Sequence, residues 1–101
     1  MIDKLMQAQQ KAEEIKQKLN TIHVKGEAGN NKVVVTLNAN KAFVDITLAD
    51  ELLSAERKEE LQDLIGIAFE KAIEKAETTA QQETMSIMSS MMPGLGNIFG
   101  K

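Results

Sequence analysis

The side chains best placed for binding chemistry in this 101-residue chain are lysines near its beginning. Lys4, Lys11 and Lys18 recur every seven residues. On a helix this repeat aligns the three lysines in one stripe, with steps of about 10 Å. Such a stripe could contact successive phosphates of a polyanion. Alternatively, these lysines could only solubilise the helix or pair with glutamates of a neighbouring helix, and the sequence alone leaves both interpretations open.

Charge is distributed unevenly along the chain. The net charge of −3 argues by itself against phosphate binding, because affinity for a duplex comes largely from clustered lysine and arginine. Residues 1–25, however, contain five lysines and three acidic residues, which gives +2. Residues 49–83 contain four basic and ten acidic residues, which gives −6. We therefore expect any polyanion to bind near the first end of the chain.

Groups suited to catalysis or metal binding are scarce. The chain has no cysteine and one histidine, His23, so thiolate nucleophiles and cysteine-ligated zinc are excluded. Four acidic residues repeat every seven positions in the second half of the chain: Glu56, Asp63, Glu70 and Glu77. On the convex face of a helix they lack the cleft and the divergent pKa values that acid–base catalysis needs. We predict no enzyme activity, no metal or cofactor, and no small-molecule substrate.

The sequence gives a consistent indication of where the protein resides. The absence of cysteine fits a reducing cytoplasm. The first ten residues lack the apolar core of a signal peptide, and no apolar run reaches the 18 residues typical of a membrane span. We expect a cytoplasmic protein without a membrane partner.

The lysine stripe would be positioned by an amphipathic helix over residues 2–20. Its apolar residues follow the alternating three- and four-residue spacing of a coiled-coil seam. The members of this seam are Leu5, Ala8, Ala12, Ile15, Leu19 and Ile22. The stripe lies beside the seam, so one helix would carry both a packing face and a basic face.

Residues 22–48 alternate between apolar and polar positions and predict a small sheet. Three runs, 22–28, 32–38 and 42–48, are separated by turn sequences at 29–31 and 38–41 that are rich in glycine and asparagine. Such runs are typical of a half-buried antiparallel meander. In the third run, simple alternation predicts Val44, Ile46 and Leu48 inward and Phe43 outward.

A second, longer helix is predicted from about residue 55 to beyond residue 80, with Ser54 as its N-cap. It has a broad apolar face, opposite the acidic repeat. The members of this face are Leu61, Leu64, Ile65, Ala68, Phe69, Ala72 and Ala76. Pro93 ends the helix, so we divide the chain into a domain over residues 1–92 and a flexible, glycine-rich tail over residues 93–101.

Four segments, followed by an end rich in small residues, proline and glycine, resemble in this order the YbaB/EbfC family of bacterial nucleoid-associated proteins. They read LMQAQQKAEEIKQKL, VKGEAGNNKVVVTLNAN, DITLADELL and LQDLIGIAFEKAIEKAE. The resemblance spans nearly the whole chain and implies an α+β fold of α-β-β-β-α order. It also implies a tweezer-shaped homodimer that binds duplex DNA in the nucleoid with little sequence preference. The family's DNA contacts are attributed to basic residues on the projecting helices, which in this sequence are Lys4, Lys11, Lys16 and Lys18.

Two features of a single chain favour the homodimer independently of the resemblance. The sheet is small with at least one open edge, and exposed edges tend to be paired or covered. We predict that the second chain contacts the broad helical face through Leu61, Leu64, Ile65 and Ala68. The alternative function is a protein-interaction module, accessory to DNA repair or replication and without appreciable DNA binding. It would use the helix seam and the methionine-rich end.

Overall fold

The computed structural model describes residues 2–91 and has the predicted α-β-β-β-α order. The elements are α1 (Ile2–Thr21), β1 (His23–Ala28), β2 (Val33–Asn38), β3 (Phe43–Leu48) and α2 (Lys58–Met91). Two short 3-10 turns, Asp50–Leu52 and Ala55–Arg57, connect β3 to α2. The predicted domain boundary at residue 92 and the predicted tail over residues 93–101 lie outside the described residues.

The three strands form one antiparallel sheet in the order β1-β2-β3. The turn between β1 and β2 consists of Gly29, Asn30 and Asn31, whose φ angles are 65°, 57° and 68°. Glycine and asparagine tolerate this left-handed region better than other residues, which explains why the hairpin closes here. The predicted meander and its first turn are therefore confirmed.

The register between β2 and β3 changes at a β-bulge. Leu37 pairs with Phe43, so Val44 has no partner on β2 and is 40% exposed. Residues paired across an antiparallel sheet lie on the same face, so Phe43 shares the face of buried Leu37. Its ring stacks on Phe69 of α2 with the ring centroids 6.4 Å apart. The prediction that Phe43 faces outward was wrong, because the bulge inserts one residue and breaks the alternation.

The core lies between the sheet and α2, which packs mainly across β1 and β2. The two approach closely at Gly26 of β1, where an added Cβ would overlap backbone atoms of Ala68 and Ala72. Both alanines are fully buried. Larger buried side chains fill the rest of the core: Val33, Val35, Leu37 and Leu52. Small residues on both elements thus bring the helix backbone against the strand.

The start of α2 differs from the prediction. Ser54 precedes the 3-10 turn Ala55–Arg57, and its side chain makes no capping hydrogen bond. The α-helix itself begins at Lys58, with Glu59 and Glu60 in its first turn, where the helix dipole favours acidic groups. The predicted N-cap was therefore wrong, because a 3-10 turn intervenes between Ser54 and the helix.

The buried part of the α1 seam lies near the C-terminal end of the helix. Leu19 is 6% exposed and Ile15 is half-buried, whereas Leu5 is 61% exposed and Ala8 and Ala12 face solvent. The described chain is elongated, with extents of 62 × 32 × 15 Å. The predicted seam therefore packs within the chain at one end and lies exposed along the rest of α1.

Candidate nucleic-acid interface

The basic stripe lies on the projecting helix. Lys4 and Lys18 are exposed and Lys11 is half-buried, and the helical rise separates neighbours in the stripe by about 10 Å. Lys16 is also exposed, but it lies about 200° around the helix axis from Lys18. The structure therefore brings Lys4, Lys11 and Lys18 onto one face and places Lys16 on another.

Two of the stripe lysines contact carboxylates. Lys18 Nζ lies 2.9 Å from Glu83 Oε1 on α2, and Lys11 Nζ lies 3.2 Å from Glu14 Oε1 on α1. Exposed ion pairs of this kind contribute at most about 1 kcal/mol, so a phosphate could replace the carboxylate at small cost. Pairing with glutamate and contact with phosphate are thus compatible uses of the same lysine.

The acidic repeat lies on the solvent-facing side of α2. Asp63, Glu70 and Glu77 are exposed, and Glu77 accepts a hydrogen bond of 2.9 Å from Lys41 Nζ. This face would repel a duplex, because its carboxylates and the phosphates carry charge of the same sign. The electrostatics therefore favour α1 over α2 as the surface for a polyanion.

A hydrogen-bonded asparagine cluster lies where α1 meets the sheet. The side-chain nitrogen of Asn40, Nδ2, donates to the Lys16 carbonyl at 3.0 Å and to Asn20 Oδ1 at 2.6 Å. Asn38 Nδ2 donates to the same Asn20 oxygen at 3.3 Å. The sequence indicates only a turn at residues 38–41, because nothing in the local pattern shows that asparagines 18 and 20 positions apart meet.

An apolar surface remains partly uncovered beside β3. Because α2 lies mainly over β1 and β2, Phe43 on the core face of β3 is 57% exposed. Ile46 and Leu48 follow it along β3 and are half-buried. β3 is also an edge strand of the sheet. The surface therefore combines a strand edge with aromatic and aliphatic side chains.

The predicted dimer-interface residues differ in accessibility. Leu61, Leu64 and Ile65 are half-buried and keep some exposed surface. Ala68 has none, because β1 covers it at Gly26, so in this conformation it offers nothing to a second chain.

Neither a metal centre nor a membrane-spanning helix is found in the described part of the chain. Within residues 2–91, no group of three histidine or acidic side chains is arranged to hold a metal ion. Over the same range, no helix is both long and apolar enough to cross a membrane. His23 lies exposed on β1.

Comparison with known proteins identifies a family over almost the entire chain. The model of the YbaB/EbfC DNA-binding family matches residues 1–92. A nucleoid-associated protein of Flavobacterium johnsoniae is 32% identical over 102 residues, which cover 98% of this chain and 94% of the relative. A nucleoid-associated protein of Neisseria meningitidis serogroup C is 35% identical over 100 residues, covering 94% and 90%.

One solved structure supports the fold independently. The crystal structure of the uncharacterized protein HP0035 from Helicobacter pylori superposes with a TM-score of 0.73. The match covers 86% of this chain and 92% of the other, at 19% sequence identity. At that identity the similarity establishes the shared fold and carries no further argument about function.

Proposed function

Because the chain belongs to the YbaB/EbfC family of bacterial nucleoid-associated DNA-binding proteins, we propose that it binds duplex DNA as a homodimer through the lysines of α1. The observation that carries this proposal is the stripe of Lys4, Lys11 and Lys18 on a helix that projects from the body. The proposed location is the nucleoid within the cytoplasm.

The proposed binding has little sequence preference. Helix α1 contains no arginine, and arginine supplies the most common bidentate contact with guanine in the major groove. Lysines spaced along a helix instead neutralise phosphates, and phosphate contacts carry no direct sequence information. Lys16, on another face of α1, contributes to the general positive potential rather than to the stripe.

The proposed dimer covers the apolar surface beside β3. A second copy placed there would bury Phe43 together with the exposed parts of Leu61, Leu64 and Ile65. Burying apolar area contributes roughly 25 cal/mol per Å² of surface removed from water. The dimer also doubles the basic stripe, so about four to six phosphates are neutralised, which gives a log–log salt slope of about −4 to −5.

Binding of a random-sequence duplex tests the DNA proposal. We compare the triple variant Lys4→Gln, Lys11→Gln, Lys18→Gln with the triple variant Lys58→Gln, Lys71→Gln, Lys75→Gln on α2. Both remove three positive charges. The first should abolish binding at low salt and the second should weaken it far less. If the second variant lost binding and the first retained it, the DNA would bind α2, and the proposed binding through α1 would be wrong.

Light scattering coupled to gel filtration tests the dimer separately. The parent protein should elute with the mass of two chains at low micromolar concentration. Phe43→Ser should shift the mass towards one chain, because it removes a ring that is 57% exposed in the single chain. A parent protein with the mass of a single chain would contradict the dimer.

A protein-interaction module is the second candidate function. It is supported by exposed apolar side chains on the N-terminal part of α1 and the C-terminal part of α2. Leu5 and Met6 on α1 are 61% and 51% exposed, and Met85 and Met88 on α2 are 69% and 49% exposed. Methionine-rich surfaces adapt to different partners. Failure of the parent protein to bind DNA at low salt would favour this candidate, accessory to repair or replication, over DNA binding.

A further inference from the structure

The buried packing of α1 is concentrated at its C-terminal end. Along its N-terminal half, Leu5 and Met6 are more than half exposed. A groove lined by residues of both helices, among them Gln7, Lys11 and Ser90, lies between α1 and the end of α2. Leu19 is the one buried residue among those described on α1. Apolar packing confined to Leu19 and the half-buried Ile15 resists sliding, but it does little to resist tilting.

We propose that Asn20, Asn38 and Asn40 are positioning residues that fix the direction of α1 against the sheet. In doing so they preorganise the lysine stripe. The structural half of this inference stands on the hydrogen bonds alone. The half that concerns DNA rests on the function proposed above.

The hydrogen bonds of the cluster leave one consistent orientation for each amide. Asn38 Oδ1 faces two backbone N–H groups, those of Asn40 at 2.9 Å and Ala42 at 3.0 Å, so this atom is the acceptor. Asn38 Nδ2 must then donate to Asn20 Oδ1. Asn40 faces the Lys16 carbonyl, which only accepts, so its nitrogen is the donor as well. The cluster is thus a specific network rather than a set of exposed polar side chains.

Backbone contacts extend the same connection. The last carbonyls of a helix have no partner within it. Here the Ala39 N–H donates to the Leu19 carbonyl at 3.1 Å and to the Ile22 carbonyl at 2.9 Å. The turn between β2 and β3 therefore holds the end of α1 through side chains and backbone together.

The turn also contacts α2. Lys41, whose φ is 71°, places its Nζ 2.9 Å from Glu77 Oε2. Residues 38–41 therefore connect both helices to the sheet. A helix held in this way presents its lysines at a fixed angle before DNA arrives, and preorganisation of this kind reduces the entropy lost on binding.

Asn20→Ala distinguishes positioning from simple helix stabilisation. Alanine has the highest helix propensity, so a purely local role predicts an α1 that is at least as ordered as before. The positioning role predicts the opposite, because the variant removes the acceptor that Asn38 and Asn40 share. Asn40→Ala removes the donor side of the same network and should have the same effect.

The measurement is the set of backbone amide residual dipolar couplings of the protein without DNA. In both variants the couplings of α1 should lose magnitude while those of the strands stay unchanged, with the helical circular dichroism preserved. Asn31→Gly serves as the control. It removes a side-chain amide from the turn between β1 and β2, where a φ of 68° suits glycine. Couplings of α1 that stay unchanged in both variants would overturn the inference.

Binding of duplex DNA at low salt tests the functional half. Asn20→Ala and Asn40→Ala should each weaken binding about fivefold, with an unchanged salt slope because the lysines remain. If the couplings of α1 change and the affinity does not, the direction of α1 is irrelevant to binding and the functional half is wrong. If the parent protein does not bind DNA, the proposed function fails, while the couplings still decide whether the asparagines orient the helix.

Discussion

Both helices carry an apolar face, but they are held against the sheet in different ways. Helix α2 lies against the sheet through Gly26, Ala68 and Ala72, where backbones touch and no side chain could be added. Helix α1 is attached at one end by Leu19 and by polar hydrogen bonds, and the N-terminal part of its seam is exposed. The comparison indicates that the body depends on close packing and the projecting helix on polar attachment.

The largest expected effect concerns the close contact in the body. Gly26→Ala should lower the free energy of unfolding by about 3 kcal/mol, because the new methyl group overlaps the backbone of α2. Chemical denaturation measures the loss. Gly66→Ala is the matched control: nothing lies within 4 Å of its added Cβ, and it should stabilise α2 by about 0.5–1 kcal/mol. Equal effects of the two changes would remove the distinction between packed and open faces of α2.

A pair of leucines on α1 sharpens the comparison along that helix. Leu19→Ala should cost about 2 kcal/mol of unfolding free energy, because Leu19 is 6% exposed and its removal leaves a cavity. Leu5→Ala should change it by less than about 0.5 kcal/mol, since Leu5 is 61% exposed. Thermal unfolding of both variants measures these changes. A large loss of unfolding free energy in Leu5→Ala would mean that the seam is buried in the assembled protein.

The ion pair between the two helices should have a smaller effect, on binding rather than on folding. Glu83→Gln frees Lys18 and removes a negative charge beside the stripe, so affinity for duplex DNA should rise about threefold at low salt. Glu77→Gln makes the same charge change, but its partner Lys41 lies outside the stripe. An equal rise in both variants, measured by fluorescence anisotropy, would mean that overall charge alone accounts for the gain.

The smallest effect is expected in the connection between β3 and α2. A hydrogen bond from Lys32 and the positive charge of Lys32, aided by that of Arg57, lower the pKa of Glu51 from its ordinary value of 4.5. A carboxyl group whose pKa is lowered by folding stabilises the protein above its unfolded pKa, and this contribution is lost as the pH falls through the lower folded value. The difference in melting temperature between the parent protein and Glu51→Gln should therefore shrink below pH 4.5. A difference that persists unchanged in acid would show that the ion pair is not its cause.

The sequence predicted the elements well because each carries a local signal. The first turn is predicted by Gly29, Asn30 and Asn31, which tolerate positive φ angles. The alternation of apolar and polar residues in β1 matches the residues that are buried. The face of Phe43 could not be predicted, since a bulge in β3 depends on how β2 pairs with it.

The charged residues of the candidate site could be predicted from the sequence, but the hydrogen bonds that hold α1 in place could not. The spacing of the lysines places Lys4, Lys11 and Lys18 on one face, and helix geometry alone already separates Lys16 from them. The asparagine cluster joins α1 to a turn some 20 residues later, as in the bond from Asn40 to Asn20. Contacts at that separation arise from tertiary packing, so no local pattern reveals them.

The bulge at Val44 also bears on how far this protein can polymerise. A regular exposed edge is a template onto which further strands can add, one chain after another, until a fibre forms. The unpaired residue bends β3 and shortens the straight stretch that an incoming strand could match. At the other edge, β1 presents Lys25 and Glu27 to solvent, and charged side chains there discourage the pairing of further strands. Both edges of the sheet therefore carry features that disfavour the repeated addition of strands from further chains.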